Sequence, residues 1–257
     1  MSAQYVAMGS SFAAGPGLGW RAPGSSYACL QSINGYPRQL ARLSRLSLAD
    51  MSCSGATTRH VLRGGQYFQR AQMDTIGPQT ELVTLTIGGN DLGYVGDLTM
   101  ISYRNRGGLI GAVAGIFWKN PQPAEKRDDT KLREELLAVL REITRRAPHA
   151  HLIVATYLTI LPSTGTCSKL RMGEADVALM RSVGDRMAEV TRSAAQEAGA
   201  NVVDMASLSA GHDACASAPW VNGAEPIDGA AFHPALAGSE SDGPANMADY
   251  ASLRLIT

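Results

Sequence analysis

Five short, largely apolar runs recur along the chain, at 4–8, 46–52, 82–87, 151–157 and 201–204, and each reads as a strand. Between them the apolar period lengthens to that of a helix. Residues 36–45 carry Leu40 and Leu43 on one face. Residues 131–146 repeat Leu132, Leu136, Leu140 and Ile143, with Pro148 just beyond the end. Residues 174–198 repeat Val177, Met180, Val183, Met187, Val190 and Ala194, and Gly199 stops the pattern. Strands alternating with helices predict an α/β fold: a three-layer, doubly wound, mainly parallel five-stranded sheet. At 257 residues the chain suits one domain with a large core. Residues 93–126 break the alternation, with an apolar stretch from 109 to 118 and then Asn120-Pro121-Gln122-Pro123. This segment reads either as a core helix with its connection or as a cap that walls an acyl pocket. After residue 238 a glycine- and serine-rich stretch precedes a short final helix.

Charge narrows the partners. Lys plus Arg and Asp plus Glu both number 23, with no contiguous block of like charge, so a basic nucleic-acid face is not expected. No apolar run reaches the length that spans a bilayer. Four cysteines, at 29, 53, 167 and 215, contain no Cys-x-x-Cys pair, which argues against zinc and thioredoxin-like chemistry. They read as buried free thiols or as two bridges, and spacing alone does not choose among three pairings.

The chemistry starts at Tyr5-Val6-Ala7-Met8-Gly9-Ser10-Ser11. A serine at the carboxyl end of a first parallel strand stands where open α/β sheets bind ligands. A serine nucleophile needs a base and oxyanion donors. The candidate base is His233, in Phe232-His233-Pro234. The candidate donors are Gly55, in Cys53-Ser54-Gly55, and Asn90, in Gly88-Gly89-Asn90-Asp91. Other signals carry less. Gly15-Pro16-Gly17-Leu18-Gly19 lies too far from the strand for a dinucleotide fingerprint, and Asp50 is too distant to serve it. His149 and His151 read as a polar strand entrance, His60 as a surface residue, and His212-Asp213 as adjacent side chains that face apart. Tyr94 and Trp220 are candidates for lining the substrate pocket or for ordinary packing.

The order Ser…Gly…Asn…His resembles the SGNH hydrolase superfamily, the GDSL-type esterases and lipases. Gly9-Ser10-Ser11 stands where that family has Gly-Asp-Ser, with Gly15 at the family's offset, and register with Gly15 selects Ser11 over Ser10. Gly88-Gly89-Asn90-Asp91 and Phe232-His233-Pro234 match two further blocks. Pro219-Trp220-Val221-Asn222-Gly223 is most similar to the secreted actinobacterial members.

The resemblance implies a monomeric serine esterase or lipase without metal or cofactor, acting on a small ester or lipid. Ser11 is then the nucleophile and His233 the base. The N–H groups of Ser11 and Gly55 and the amide of Asn90 form the oxyanion hole. It also implies bridges Cys29–Cys53 and Cys167–Cys215, hence an extracytoplasmic protein whose leader has been removed, since Met1-Ser2-Ala3-Gln4 shows no signal pattern. The alternative is a cytoplasmic protein with free thiols. Two departures stand out. Position 10 is Ser rather than Asp. The family's Asp-x-x-His has Ala230 in place of its acid, and the nearest carboxylate is Asp228. His233 is therefore oriented by Asp228, in a triad, or by a main-chain carbonyl near Ala230 and Ala231, in a dyad; the offset favours the dyad. Carbohydrate deacetylation or acyl transfer on the same machinery is the alternative reaction. A non-catalytic ligand-binding module is the alternative of another class.

Overall fold

The computed structural model describes residues 3–117 and 121–236. Five strands, β1 (Tyr5–Gly9), β2 (Leu48–Asp50), β3 (Leu82–Thr86), β4 (His151–Ala155) and β5 (Asn201–Val203), form one sheet in the order β2-β1-β3-β4-β5. Every pairing is parallel. Parallel strands are covered on both faces, which is why β1 and β3 are apolar-rich and buried along their whole length. From β1 the chain winds first to β2 and then back across to β3, so the order reverses at β1. That reversal opens a crevice at the strands' carboxyl ends, directly beyond Gly9.

Eight α-helices are described: α1 (Ser11–Ala14), α2 (Tyr36–Ser44), α3 (Thr58–Arg63), α4 (Tyr94–Arg104), α5 (Gly108–Phe117), α6 (Asp129–Arg146), α7 (Glu174–Glu197) and α8 (Met205–Leu208). Right-handed crossovers place α2 on one face and the mutually packed α3, α6 and α7 on the other. The three-layer sandwich expected from the sequence follows. In α6 the predicted stripe Leu132, Leu136, Leu140 and Ile143 is buried. Each such side chain contributes about 1.5–3 kcal/mol to the fold. The helix starts two residues before the expected 131 because Asp128 caps it, its carboxylate accepting from Lys131 N–H at 2.9 Å. Edge strand β2 is shorter than the 46–52 run, although the chain beyond it still follows β1, with Cys53 N–H donating to Gly9 O at 3.0 Å.

The segment 93–126 contains both α4 and α5. Helix α4 buries Tyr94, Val95, Leu98 and Ile101, whereas α5 leaves Leu109, Val113 and Ile116 exposed. Buried Arg127 fastens the segment: it pairs with Asp97 at 2.6 Å and donates to the carbonyls of Leu92 and Gln122. Cys29 is bridged to Cys53 and Cys167 to Cys215. Among the described residues, no helix is long and apolar enough to cross a membrane. The final helix expected after 238 lies outside the described residues.

Candidate active site

Gly9 ends β1 at a point no other residue tolerates. Its φ is +147°, and an added Cβ would stand 2.3 Å from the carbonyl oxygen of Thr86 on β3. Gln72 holds this glycine from both sides, its Oε1 accepting from Gly9 N–H at 2.8 Å and its Nε2 donating to Gly9 O at 3.0 Å. The chain then turns immediately into α1, with Ser11 as its first residue and Gly15 closing it in the left-handed conformation at φ 68°. Ser11 is nearly buried, and no acceptor among the described residues takes its backbone N–H.

Across the crevice, 222 residues later, His233 brings Nε2 to 2.7 Å from Ser11 Oγ. Its Nδ1 lies 2.7 Å from the carbonyl oxygen of Ala231. A carbonyl only accepts, so Nδ1 carries the proton and donates it there. Nε2 is left with a lone pair, and Ser11 Oγ–H donates to it. Burial holds the imidazole below its ordinary pKa, against the opposing pull of the Ala231 carbonyl, so the ring is neutral at neutral pH. Fully buried Phe232 adopts φ 58°, an uncommon left-handed geometry for an aromatic residue. It anchors the backbone that presents His233. Phe12 packs on the imidazole with ring centroids 5.2 Å apart.

Asp228 does not reach the histidine. Its Oδ1 accepts from Leu236 N–H at 3.1 Å and lies 3.5 Å from Asn222 Nδ2, so the carboxylate closes the 222–236 loop. The geometry thus sets the Ala231 carbonyl, not the Asp228 carboxylate, against Nδ1. Asn222 does more of the bracing, donating to Asp228 O at 2.6 Å and accepting from Ile227 N–H at 3.3 Å.

Gly55 has φ +82°, and no acceptor among the described residues takes its N–H. Its loop is tied to β1 through Cys53 and to the following loop through the Cys29–Cys53 bridge. Asn90 donates one amide hydrogen to Ala56 O at 2.8 Å, which fixes the side chain and leaves the second hydrogen free. Asp91 binds the two donor loops together, accepting from Thr58 N–H at 3.0 Å and Thr58 Oγ1–H at 2.6 Å. Glu135 contacts the same hydroxyl, and burial raises the Asp91 carboxyl above the ordinary range. A charged cavity of about 440 Å³ adjoins Asn90, with Arg59, Lys126 and Lys131 in its wall but neither Ser11 nor His233.

Ser10, which stands in place of the family's acid, is fully buried and lies 2.6 Å from the hydroxyl of Tyr157. That hydroxyl also accepts from Gly89 N–H at 3.3 Å, so one phenol links the serine turn of β1 to the Asn90 loop. A Cβ on Gly89 would strike the Tyr157 ring at 2.8 Å. Sequence reasoning missed Tyr157, Gln72 and Asn222. The available signal was position: Tyr157 follows β4 at the carboxyl edge where the other blocks converge. His60, read as a surface residue, is part of a capping box, its Nδ1 accepting from Thr57 N–H at 3.0 Å.

Tyr94 and Trp220, read as pocket lining or ordinary packing, both make packing contacts. Tyr94 is buried against α7, where a Cβ on Gly184 would meet its hydroxyl at 2.7 Å, because the first turn of α4 faces that helix rather than the crevice. Trp220 stacks on His212 with centroids 4.1 Å apart. His212 Nδ1 in turn lies 2.8 Å from Ala218 O, so the His212-Asp213 pair is structural. Among the described residues no cluster of His, Cys, Asp and Glu is arranged to hold a metal.

A parallel sheet reversing at β1, with a serine at the reversal facing a histidine of fixed tautomer, defines the class as an SGNH-type hydrolase fold. Residues 7–240 match the GDSL-like Lipase/Acylhydrolase family, and the chain belongs to it. It is 34% identical to Lipase 2 of Streptomyces coelicolor over 87% of this chain and 76% of that protein. The crystal structure of an extracellular lipase from Streptomyces rimosus superposes with TM-score 0.70 at 28% identity, over 92% of this chain and 94% of that one. Phospholipase A1 from Streptomyces albidoflavus gives TM-score 0.71 at 26% identity, over 93% and 94%.

Proposed function

We propose that this protein is a serine esterase or lipase that hydrolyses carboxylic esters through an acyl-enzyme, with Ser11 as nucleophile and His233 as base. The observation that carries the reading is the 2.7 Å approach of His233 Nε2 to Ser11 Oγ, with Nδ1 engaged by Ala231 O. As Oγ attacks the acyl carbonyl, its proton passes to Nε2. The imidazolium that forms is stabilised by the hydrogen bond to Ala231 O. The carbonyl oxygen becomes an oxyanion that the N–H groups of Ser11 and Gly55 and the free amide hydrogen of Asn90 are available to receive. Nε2 returns the proton to the leaving alkoxide. Water then enters and attacks the acyl carbon as it gives a proton to Nε2; the acyl–Oγ bond breaks, Nε2 returns the proton to Ser11 Oγ, and the acid leaves. Lipase-named relatives at 34% and 28% identity support an ester or lipid substrate. Two disulfides support an extracytoplasmic working place.

The test is Ser11→Ala against Ser10→Ala on a series of p-nitrophenyl esters of increasing acyl length, run beside acetylated sugars. Ser11→Ala is expected to lose several orders of magnitude with the fold intact, because it alone removes the covalent step. Ser10→Ala loses one buried hydrogen bond and stays active. Turnover that vanishes with Ser10→Ala and persists with Ser11→Ala would shift the nucleophile by one residue.

A further inference from the structure

Six large apolar side chains stand exposed on loops that carry the site: Trp20, Tyr27, Leu30, Tyr67, Phe68 and Ile227. Phe68 and Ile227 have essentially no protein cover. Two of these loops are tied to the Gly55 loop, and the third presents His233. The 16–33 loop is closed by pairing of Arg21 with Ser32, and it joins the Gly55 loop through the Cys29–Cys53 bridge. The 66–69 turn is held on the Gly55 loop by Gln66 Nε2 donating to Ser54 O at 2.8 Å, and Gln69 contacts Cys29 Sγ. Ile227 stands in the 222–236 loop that presents His233. The loops that carry these side chains therefore adjoin the site, and the 16–33 and 222–236 loops also meet, Gly229 N–H donating to Gly17 O at 3.2 Å. Scattered exposed apolar residues are ordinary, whereas a set gathered around one site marks an interaction surface.

The backbone and the charge point the same way. Leu30, Tyr67 and Phe68 have φ of 54°, 47° and 61°, left-handed conformations that disfavour bulky residues. Phe68 is fully exposed, so no packing against the described residues offsets that cost. Residues 1–73 contain seven arginines, no lysine and a single acid, Asp50, within a chain of zero net charge. Four of those arginines flank the loops. Arg21 lies 3.9 Å over the Tyr27 ring, Arg42 donates to Ile33 O at 3.3 Å, and Arg63 and Arg70 bracket the 66–69 turn. Among the described residues none of the four pairs with a carboxylate. The acids on the Ile227 loop are engaged, Glu225 with Arg171 and Asp228 with Leu236 N–H.

We infer that this rim is a docking surface for a lipid bilayer bearing anionic headgroups. Trp, Tyr and Phe side chains enter the headgroup–acyl boundary, the arginines meet the negative surface, and the crevice opens onto the membrane. A second copy of the chain fits less well, because a symmetric pairing sets like-charged arginines against one another. The inference goes beyond the reaction: it concerns where the protein works, and it does not depend on which serine reacts.

The experiment is flotation with vesicles of ether-linked lipids, which contain no ester to cleave. One set is phosphatidylcholine alone and the other an equimolar mixture with phosphatidylglycerol. The wild-type chain is expected to float with the anionic vesicles and much less with the neutral ones. Phe68→Asn removes the ring yet suits the left-handed backbone, so the fold is kept. It is expected to lower partitioning by about tenfold or more. Arg70→Gln is expected to lower it by about fivefold on anionic vesicles alone. Neither change should alter turnover of a soluble short-chain ester. Wild-type protein that stays in solution with both vesicles would overturn the inference, as would unchanged flotation of Phe68→Asn. So would a wild-type dimer that Phe68→Asn dissociates, since the rim would then belong to a second copy. Full ester turnover by Ser11→Ala would sink the proposed reaction while leaving the flotation result untouched.

Discussion

Removing the Asp228 carboxylate separates two mechanisms that share every other residue. In the structure that group makes one good contact, from Leu236 N–H at 3.1 Å, and one marginal contact, 3.5 Å from Asn222 Nδ2. Asn222 keeps its stronger bond to the Asp228 carbonyl whatever the side chain. Asp228→Ala therefore forfeits about one hydrogen bond, or about 1 kcal/mol of loop stability. Even if all of that appeared in the barrier, the rate would fall only about fivefold, since about 1.4 kcal/mol is tenfold. A triad predicts something of another size, because a changed triad aspartate costs about 10⁴ in kcat. The assay is kcat on a p-nitrophenyl ester for wild type, Asp228→Ala and Asp228→Asn, with folding followed by circular dichroism. The Asn variant retains an oxygen that can accept from Leu236 and is expected to match wild type. A thousandfold loss in Asp228→Ala with an intact fold would refute the dyad and with it the role given to Ala231 O.

Asn90→Ala is expected to lower kcat by about 10²–10³ with little change in KM, the signature of a donor that acts on the transition state; a pure KM effect would make it a ground-state contact. The pH profile of kcat/KM should fall on the acid side as His233 gains a proton. Burial lowers its pKa, so the midpoint of that limb is expected below the ordinary histidine value of about 6.5, and a midpoint above it would contradict the neutral buried ring. Reduction of the bridges, which close loops of 24 and 48 residues, should lower stability by about 3 and 4 kcal/mol. Denaturant titration with and without reductant measures this, and free labelling of all four thiols in unreduced protein would remove the premise.

The sheet was legible because β1 and β3 are buried on both faces, so 4–8 and 82–87 read as largely apolar runs. The long helices were legible because α6 and α7 each present one apolar stripe. Strand ends were less so: β4 stops at Ala155 rather than at 157, where Thr156 turns its hydroxyl to Asp204 and Tyr157 reaches Ser10. Local pattern places a serine at the end of β1. It does not indicate that Tyr157 reaches back to Ser10 across 147 residues of chain. Nor does it indicate that a main-chain oxygen faces Nδ1 of His233, since every residue has a carbonyl and only the φ of 58° at Phe232 aims this one. For Tyr94 the sequence left pocket and packing open, because nearness to Asn90 says nothing about which way the first turn of a helix faces.

The distance along the chain between Ser11 and His233 has a consequence for biosynthesis. Ser11 follows the first strand directly, and the fifth strand is finished at Val203, thirty residues before His233, the proposed base. A growing chain can therefore assemble the whole sheet while its serine still lacks a proton acceptor. The Ser11–His233 contact is among the longest-range contacts of the described residues, and such contacts form late because their closure is entropically expensive. Hydrolytic competence thus waits for the 222–236 loop rather than growing with the sheet. Regain of ester turnover during refolding should accordingly lag behind regain of secondary structure, making the enzyme's own activity a clock for the last step of its folding.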